Sequence, residues 1–253
     1  MCGRFALTLP QDAVLHHFDA TPGGDIAPLD RPRWNIRPTE QIAVVAIDPE
    51  QGRVLRPMRW GFIPHWAKSP TDGPLLINAR GESVAEKPAF RAACRERRCL
   101  IPADGFYEWK ASAGPGKEPY WIHPAAIDPT DFDPADTDPE KHGPVAFAGV
   151  WQLWRSPEGE EIPTVAIVTC AANETLSPLH HRLPVAIAPE DYALWLGEAG
   201  RGAAVLMRAP AEDFYAFHRV SRAINKGGRN APDGPELIEP APPEEFEEPP
   251  RLI

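Results

Sequence analysis

The chain opens Met-Cys-Gly-Arg-Phe. Removal of the initiator methionine, which a small second residue permits, makes Cys2 the first residue. Cys2 then carries a free α-amine and a thiol on adjacent carbons. The amine titrates near about 8 and a thiol near about 8.5, so both keep some reactive form at neutral pH. Arg4, two residues on, is expected to favour the thiolate. Two chemistries suit the pair. The thiolate can attack an amide carbonyl with the amine as general base, as a glutaminase or peptidase does. Alternatively, the amine can condense with an aldehyde to a Schiff base, on which the thiol closes to a five-membered thiazolidine. An internal cysteine cannot close that ring, because its nitrogen is an amide.

Three further groups stand at the edges of apolar runs, where clefts form. Asn78 ends one such run, Glu108 lies inside GFYEW, and His180 precedes LPVAI. A carboxylate near a core costs free energy unless it is paired or protonated, which suits Glu108 to proton transfer. His180 can move a proton near neutrality, and Asn78 can orient a carbonyl or hydroxyl. The bland alternatives are a turn residue for Asn78, a paired strand carboxylate for Glu108 and a loop cap for His180. Trp60, Trp109 and Trp151 are read as packing residues, and Cys94, Cys99 and Cys170 as small core residues.

These groups need a scaffold. The 253 residues, 43% hydrophobic and 25% charged, suffice for one sizeable core. The 32 prolines favour short strands and rigid connections over a helix bundle. Net charge is −10, which argues against a generic nucleic-acid binder, yet 53–110 holds eleven Lys/Arg against six Asp/Glu. A positive cleft on an acidic protein is therefore allowed. No two of the four cysteines have CxxC spacing, so no structural zinc site is expected. No secretory signal or transmembrane-length apolar run is seen, and a cytoplasmic protein with reduced thiols is the expectation. No GxxxxGK or strand–GxGxxG–helix unit supports nucleotide binding.

Hydrophobic periodicity predicts helices over 10–18 and 87–98, the second with Phe90 and Cys94 on one face. It predicts strands over 42–47, 54–60, 75–79, 120–122, 145–154, 164–170 and 183–187. The stretch 99–109 reads as a strand broken at 102–105. Loop is expected over 21–33, and helical or turn character over 189–196 and 211–217. The Pro/Asp-rich stretch 123–144 reads as a surface insert, and the Pro/Glu-rich tail 239–253 as disordered. The sum is one α+β domain over 1–238.

The motifs, taken in order, resemble one family. They are MCGRF, WNIRPT at 34–39, RWGFIPHW at 59–66, NARGES at 78–83 and RCLIPADGFYEW at 98–109. TCAAN at 169–173, HHRLP at 180–184 and VSRAIN at 220–225 complete the set. The chain resembles the SRAP family, the SOS response-associated proteins that process abasic sites in DNA, from residue 1 to about 230. The resemblance implies a barrel-like β core of many short, mostly antiparallel strands with a few peripheral helices. It implies a thiazolidine crosslink between Cys2 and the opened aldehyde of an abasic site in single-stranded DNA or at a junction with duplex. Reversal, lyase activity and an older peptidase role are also ascribed to the family. The family's catalytic positions fall on Cys2, Asn78, Glu108 and His180, with His181 at a variable position and Leu183 where methionine is commoner. Arg4, Arg80 and Arg182 are the expected phosphate contacts, with internal ion pairs the rival reading for the last two. Trp66 is a stacking or wedge candidate, and Asn35 is expected to steady the site or touch DNA. No cofactor, metal, membrane or obligate protein partner is implied, and a monomer is expected. The rival functions are an N-terminal-nucleophile peptidase and a glutamine amidotransferase-like hydrolase.

Overall fold

The computed structural model describes residues 2–111, 116–126, 143–228 and 230–242. The body of the insert, 127–142, and the end of the tail, 243–253, lie outside the described residues. The strands in the first half are β1 (Phe5–Leu7), β2 (Thr21–Pro22), β3 (Arg33–Ile36), β4 (Gln41–Asp48), β5 (Gly52–Trp60), β6 (Asn78–Arg80) and β7 (Arg98–Ala103). They continue with β8 (Gly105–Ala111), β9 (Lys117–Pro124), β10 (Val145–Arg155), β11 (Glu161–Ala171), β12 (Arg182–Pro184), β13 (Ala186–Ile187) and β14 (Tyr215–Arg219). Among the described residues three short α-helices sit outside them, α1 (Gln11–His17), α2 (Arg91–Glu96) and α3 (Tyr192–Leu196).

Five strands close a barrel. β5, β4, β7, β10 and β11 pair antiparallel in that order. A parallel pairing of Thr164 with Arg59 and Val165 with Trp60 then joins β11 back to β5. Closure leaves no free edge in the ring. Long apolar runs make this possible: Ile42–Ala46 on β4 and Val165–Val168 on β11 are buried on both faces. A second, antiparallel sheet in the order β14-β9-β8-β1-β3 packs beside the barrel.

The two sheets share one continuous stretch of chain. β7 belongs to the barrel and β8 to the second sheet, and the break falls at Asp104. Gly105 is required there, because a Cβ would lie 2.4 Å from the Ile122 carbonyl oxygen. A chain of edge-on aromatic contacts fills the seam. Phe5 meets Trp60 at 5.1 Å and Phe147 at 6.3 Å, and Phe106 meets Phe147 at 5.8 Å. Truncating such a buried ring costs about 3–5 kcal/mol.

The structure corrects several expected elements. Leu75 is half exposed, and the regular strand there is only Asn78–Arg80. The second helix shortens to Arg91–Glu96, because Arg98 already begins β7. The stretch expected to be helical or turn over 211–217 forms instead β14, whose Tyr215 and Phe217 pair with Pro124 and Ile122 of β9. Pro240 bridges Val220, so the first residues of the tail return onto the end of β14. Among the described residues no helix is long and apolar enough to cross a membrane. Nor, among them, do three His, Cys, Asp or Glu come together as a metal site.

Candidate active site

The chain start is held by strand pairing on both sides. Phe5 on β1 faces Ile36 of β3 and Phe106 of β8, and the Tyr107 N–H donates to the Arg4 carbonyl at 3.0 Å. Cys2 thereby ends up fully buried within the main core. Its thiol lies 3.7 Å from the Arg4 carbonyl oxygen. Burial pushes the thiol far above its ordinary pKa, and the Glu108 carboxylate pushes it further. The expectation that Arg4 favours the thiolate is corrected. Its guanidinium turns away to donate to Asn35 Oδ1 at 2.8 Å and the Ile224 carbonyl at 3.0 Å, and it lies over the Trp109 ring.

Asn78, Glu108 and His180 converge on Cys2 from three strands or their ends. β6 runs parallel to β11 with Asn78 opposite Ile167, and the Asn78 amide donates to the Cys2 carbonyl at 2.9 Å. Asn78 Oδ1 is buried and has no hydrogen-bond partner among the described residues. Glu108, two residues after Phe106 on β8, shares its inward face and is buried. It lines a narrow cleft with Phe106, Leu176, Leu179, His180 and Leu183. His180 precedes β12 and stacks on His181 at 4.3 Å. Its Nδ1 lies 3.0 Å from the Arg182 N–H. Burial lowers the His180 pKa, the Glu108 carboxylate pulls it back up, and His181 adds to the lowering. Glu108 thus acts electrostatically on both the thiol and the imidazole. The arrangement pairs a neutral thiol with a carboxylate and an imidazole able to pass protons, beside an amide oxygen that awaits a donor.

The residues expected on DNA divide into two groups. Arg80 and Trp66 are exposed, and Arg80 has no charged partner among the described residues. Arg182 forms the internal ion pair instead. Its guanidinium donates to both Glu82 oxygens at 2.6 and 2.8 Å and to the Thr169 carbonyl at 2.6 Å. Asn35 is buried with both ends of its amide engaged, accepting from Arg4 and donating to the Pro232 carbonyl at 2.7 Å. It is placed to steady the N-terminal strand. Asp233 adds to that scaffold by accepting from the Trp34 and Asn35 N–H groups at 2.7 and 2.8 Å. The WNIRPT and VSRAIN segments therefore serve the site from behind, the latter also through Asn225 Oδ1, which accepts from Trp109 Nε1 at 2.6 Å. Sequence reading did not single out Asp233 or Tyr215. Asp233 lies beyond the last recognised motif and Tyr215 in a stretch with the pattern of a turn, and only long-range pairing brings them in.

A closed barrel flanked by a second sheet, with the chain start buried beside an asparagine, a glutamate and a histidine, defines the class. The family model "SOS response associated peptidase (SRAP)" matches residues 1–227, and the chain belongs to that family. It is 34% identical over 246 residues to "Abasic site processing protein YoqW" of Bacillus subtilis (strain 168), covering 94% of this chain and 99% of that protein. It is 29% identical to "Abasic site processing protein HMCES" of Pongo abelii, covering 92% of this chain and 75% of that one. A crystal structure of a Bacteroides thetaiotaomicron protein shares the fold, with a TM-score of 0.77 at 20% identity, over 95% of this chain and all of the other.

Proposed function

We propose that this protein captures abasic sites in single-stranded DNA, or near a junction with duplex, by forming a thiazolidine at Cys2. The observation that carries the reading is the convergence of Asn78, Glu108 and His180 on a cysteine that methionine removal makes N-terminal. The names of the relatives point the same way. In this reading the Cys2 amine adds to the C1′ aldehyde of the opened sugar and one water leaves, giving an imine. The thiol then adds across the C=N bond; its sulfur bonds to carbon and its proton goes to nitrogen. The sum is protein plus DNA less one water. No cofactor is needed, because Cys2 supplies both bonds.

Asn78 Oδ1 accepts a sugar hydroxyl, which supplies the donor it otherwise lacks. Glu108 carries protons during dehydration and ring closure. His180 assists opening of the sugar ring and reversal of the adduct. Arg80 holds a neighbouring phosphate, and Trp66 stacks on or wedges a base. The protein works in the cytoplasm on chromosomal DNA, as a monomer.

Intact mass spectrometry after mixing with single-stranded DNA bearing one abasic site tests this. The expected mass is protein plus DNA less one water, resistant to borohydride. Cys2→Ala and a form with one residue left ahead of Cys2 must both fail to give it. No adduct, with Met1 confirmed absent and the DNA intact, refutes the proposal and turns attention to glutamine and peptide substrates.

A further inference from the structure

A cavity of about 840 Å³ opens beside the turn that follows Arg80 and takes no part in the chemistry at Cys2. Arg95, Arg98 and Arg201 line it, and Glu96, its one carboxylate, is 3.1 Å from Arg97. None of the three arginines has a carboxylate partner among the described residues. Arg98 is fixed from behind by the carbonyls of Trp195, Cys94 and Arg95, which engage Nε and Nη1 and leave Nη2 without a hydrogen bond among the described residues. Gly197 lies against that free end: a Cβ there would sit 3.0 Å from Nη2 and cover it. The loop that closes the cavity turns at Gly197, Gly200 and Gly202, with φ of 96°, 94° and 119°. Its backbone can therefore approach a ligand closely. Three cations around a roomy cavity with one engaged acid suit a phosphate anion.

Position selects the source of that anion. Met207 lines the cavity, and a Cβ on Gly81 would come within 3.2 Å of Met207 Cβ. The cavity therefore begins next to Gly81, three residues and about 10 Å of chain from Asn78. A phosphate next to the lesion or one nucleotide beyond it falls within that span. We propose that the Arg95–Arg98–Arg201 cavity is a second phosphate-binding site, holding the DNA backbone a nucleotide or two to one side of the lesion. This rests on the reading of the site as an abasic-DNA site.

The test uses the full chain and an oligonucleotide carrying a tetrahydrofuran abasic analogue, which has no aldehyde and cannot crosslink. Arg95 and Arg201 are exposed, so Arg95→Gln combined with Arg201→Gln leaves the fold intact. The slope of log K against log salt flattens by about 1.4 for two lost single-strand contacts, about 25-fold weaker binding at 0.1 M salt. Trimming the oligonucleotide back to the lesion on one side, and not on the other, abolishes that difference. An unchanged slope, or an equal loss with both trimmed oligonucleotides, overturns the proposal. A thermal shift with inorganic phosphate that the double variant loses, with the DNA slope unchanged, assigns the cavity to a free anion and also overturns it. Failure of the thiazolidine reading shows separately, as wild-type protein that gives no adduct with aldehyde-bearing DNA.

Discussion

Glu82 should compete with a DNA phosphate for Arg182, and Glu82→Gln measures that competition. Arg182 Nη2 is also held by the Thr169 carbonyl and lies 3.1 Å from Thr169 Oγ1, so loss of the carboxylate frees Nη1 without releasing the side chain. The Glu82 side chain is 55% exposed, so the pair itself contributes about 1 kcal/mol or less and the variant folds. One guanidinium made available to one phosphate steepens the salt slope by about 0.7 on single-stranded DNA. That amounts to about five-fold tighter binding at 0.1 M salt and less than two-fold at 0.5 M. Fluorescence anisotropy with a labelled strand carrying the non-crosslinking analogue reads both numbers. Binding that weakens in Glu82→Gln, or tightens equally at both salt concentrations, refutes the competition. Glu82 would then be the residue that aims Arg182 rather than the one that occupies it.

Two further substitutions report on buried groups. Burial raises the Asp104 pKa to about 6, against two hydrogen bonds from the Thr8 N–H and hydroxyl, both 2.7 Å to Oδ2. The folded state then binds this proton more tightly than the unfolded one. Its contribution to stability is complete below about pH 4 and is lost as pH rises through about 6. Asp104→Asn keeps an acceptor for Thr8 and should raise stability at pH 7.5 by about 1–3 kcal/mol, nearer the lower end because the side chain keeps some water. Urea melts at pH 5 and 7.5 check this: an equal gain at both pH values is the contrary result. The Tyr215 hydroxyl is buried with no hydrogen-bond partner among the described residues. Tyr215→Phe should therefore stabilise by about 1 kcal/mol, and a lower urea midpoint would show that the hydroxyl has found a partner.

The barrel strands were legible because their apolar runs are long: 42–47, 54–60, 145–154 and 164–170 all fall inside observed strands. The break in 99–109 was legible too, since Pro102 and Gly105 mark it. What the sequence hid is long-range. β1 spans three residues and exists only because β3 and β8 flank it. β14 carries the pattern of a turn, yet β9 supplies five paired positions that outweigh local preference. The four central residues were readable from residue type at the edges of apolar runs together with a recognised motif order. The occupation of Arg182 was not readable, because Glu82 lies a hundred positions away and only the meeting of β6 and β12 along β11 joins them. Alternation puts Asn78 and Arg80 on the same face of β6, and Arg80 is exposed because the strand ends there.

Burial of Cys2 decides the order of the chemistry. With Met1 in place, burial and the Glu108 carboxylate hold the thiol far above its ordinary pKa, neutral and a poor nucleophile, and Glu108 keeps acting on it once Met1 has left. A thiolate-first peptidase needs the opposite environment. Condensation of the amine with an aldehyde needs no thiolate, and once the imine stands beside it, the thiol needs only to hand its proton on. The crosslinking rate should therefore rise with pH along the titration of an α-amine, near about 8, and show no second rise above pH 9. Glu108→Gln should slow the reaction by about 100-fold or more, although it removes a negative charge that disfavours the thiolate. If thiolate formation were limiting, the same substitution would speed the reaction. Single-turnover rates from pH 6 to 10 for the wild type and Glu108→Gln separate the two orders, and a faster variant would exclude the amine-first route.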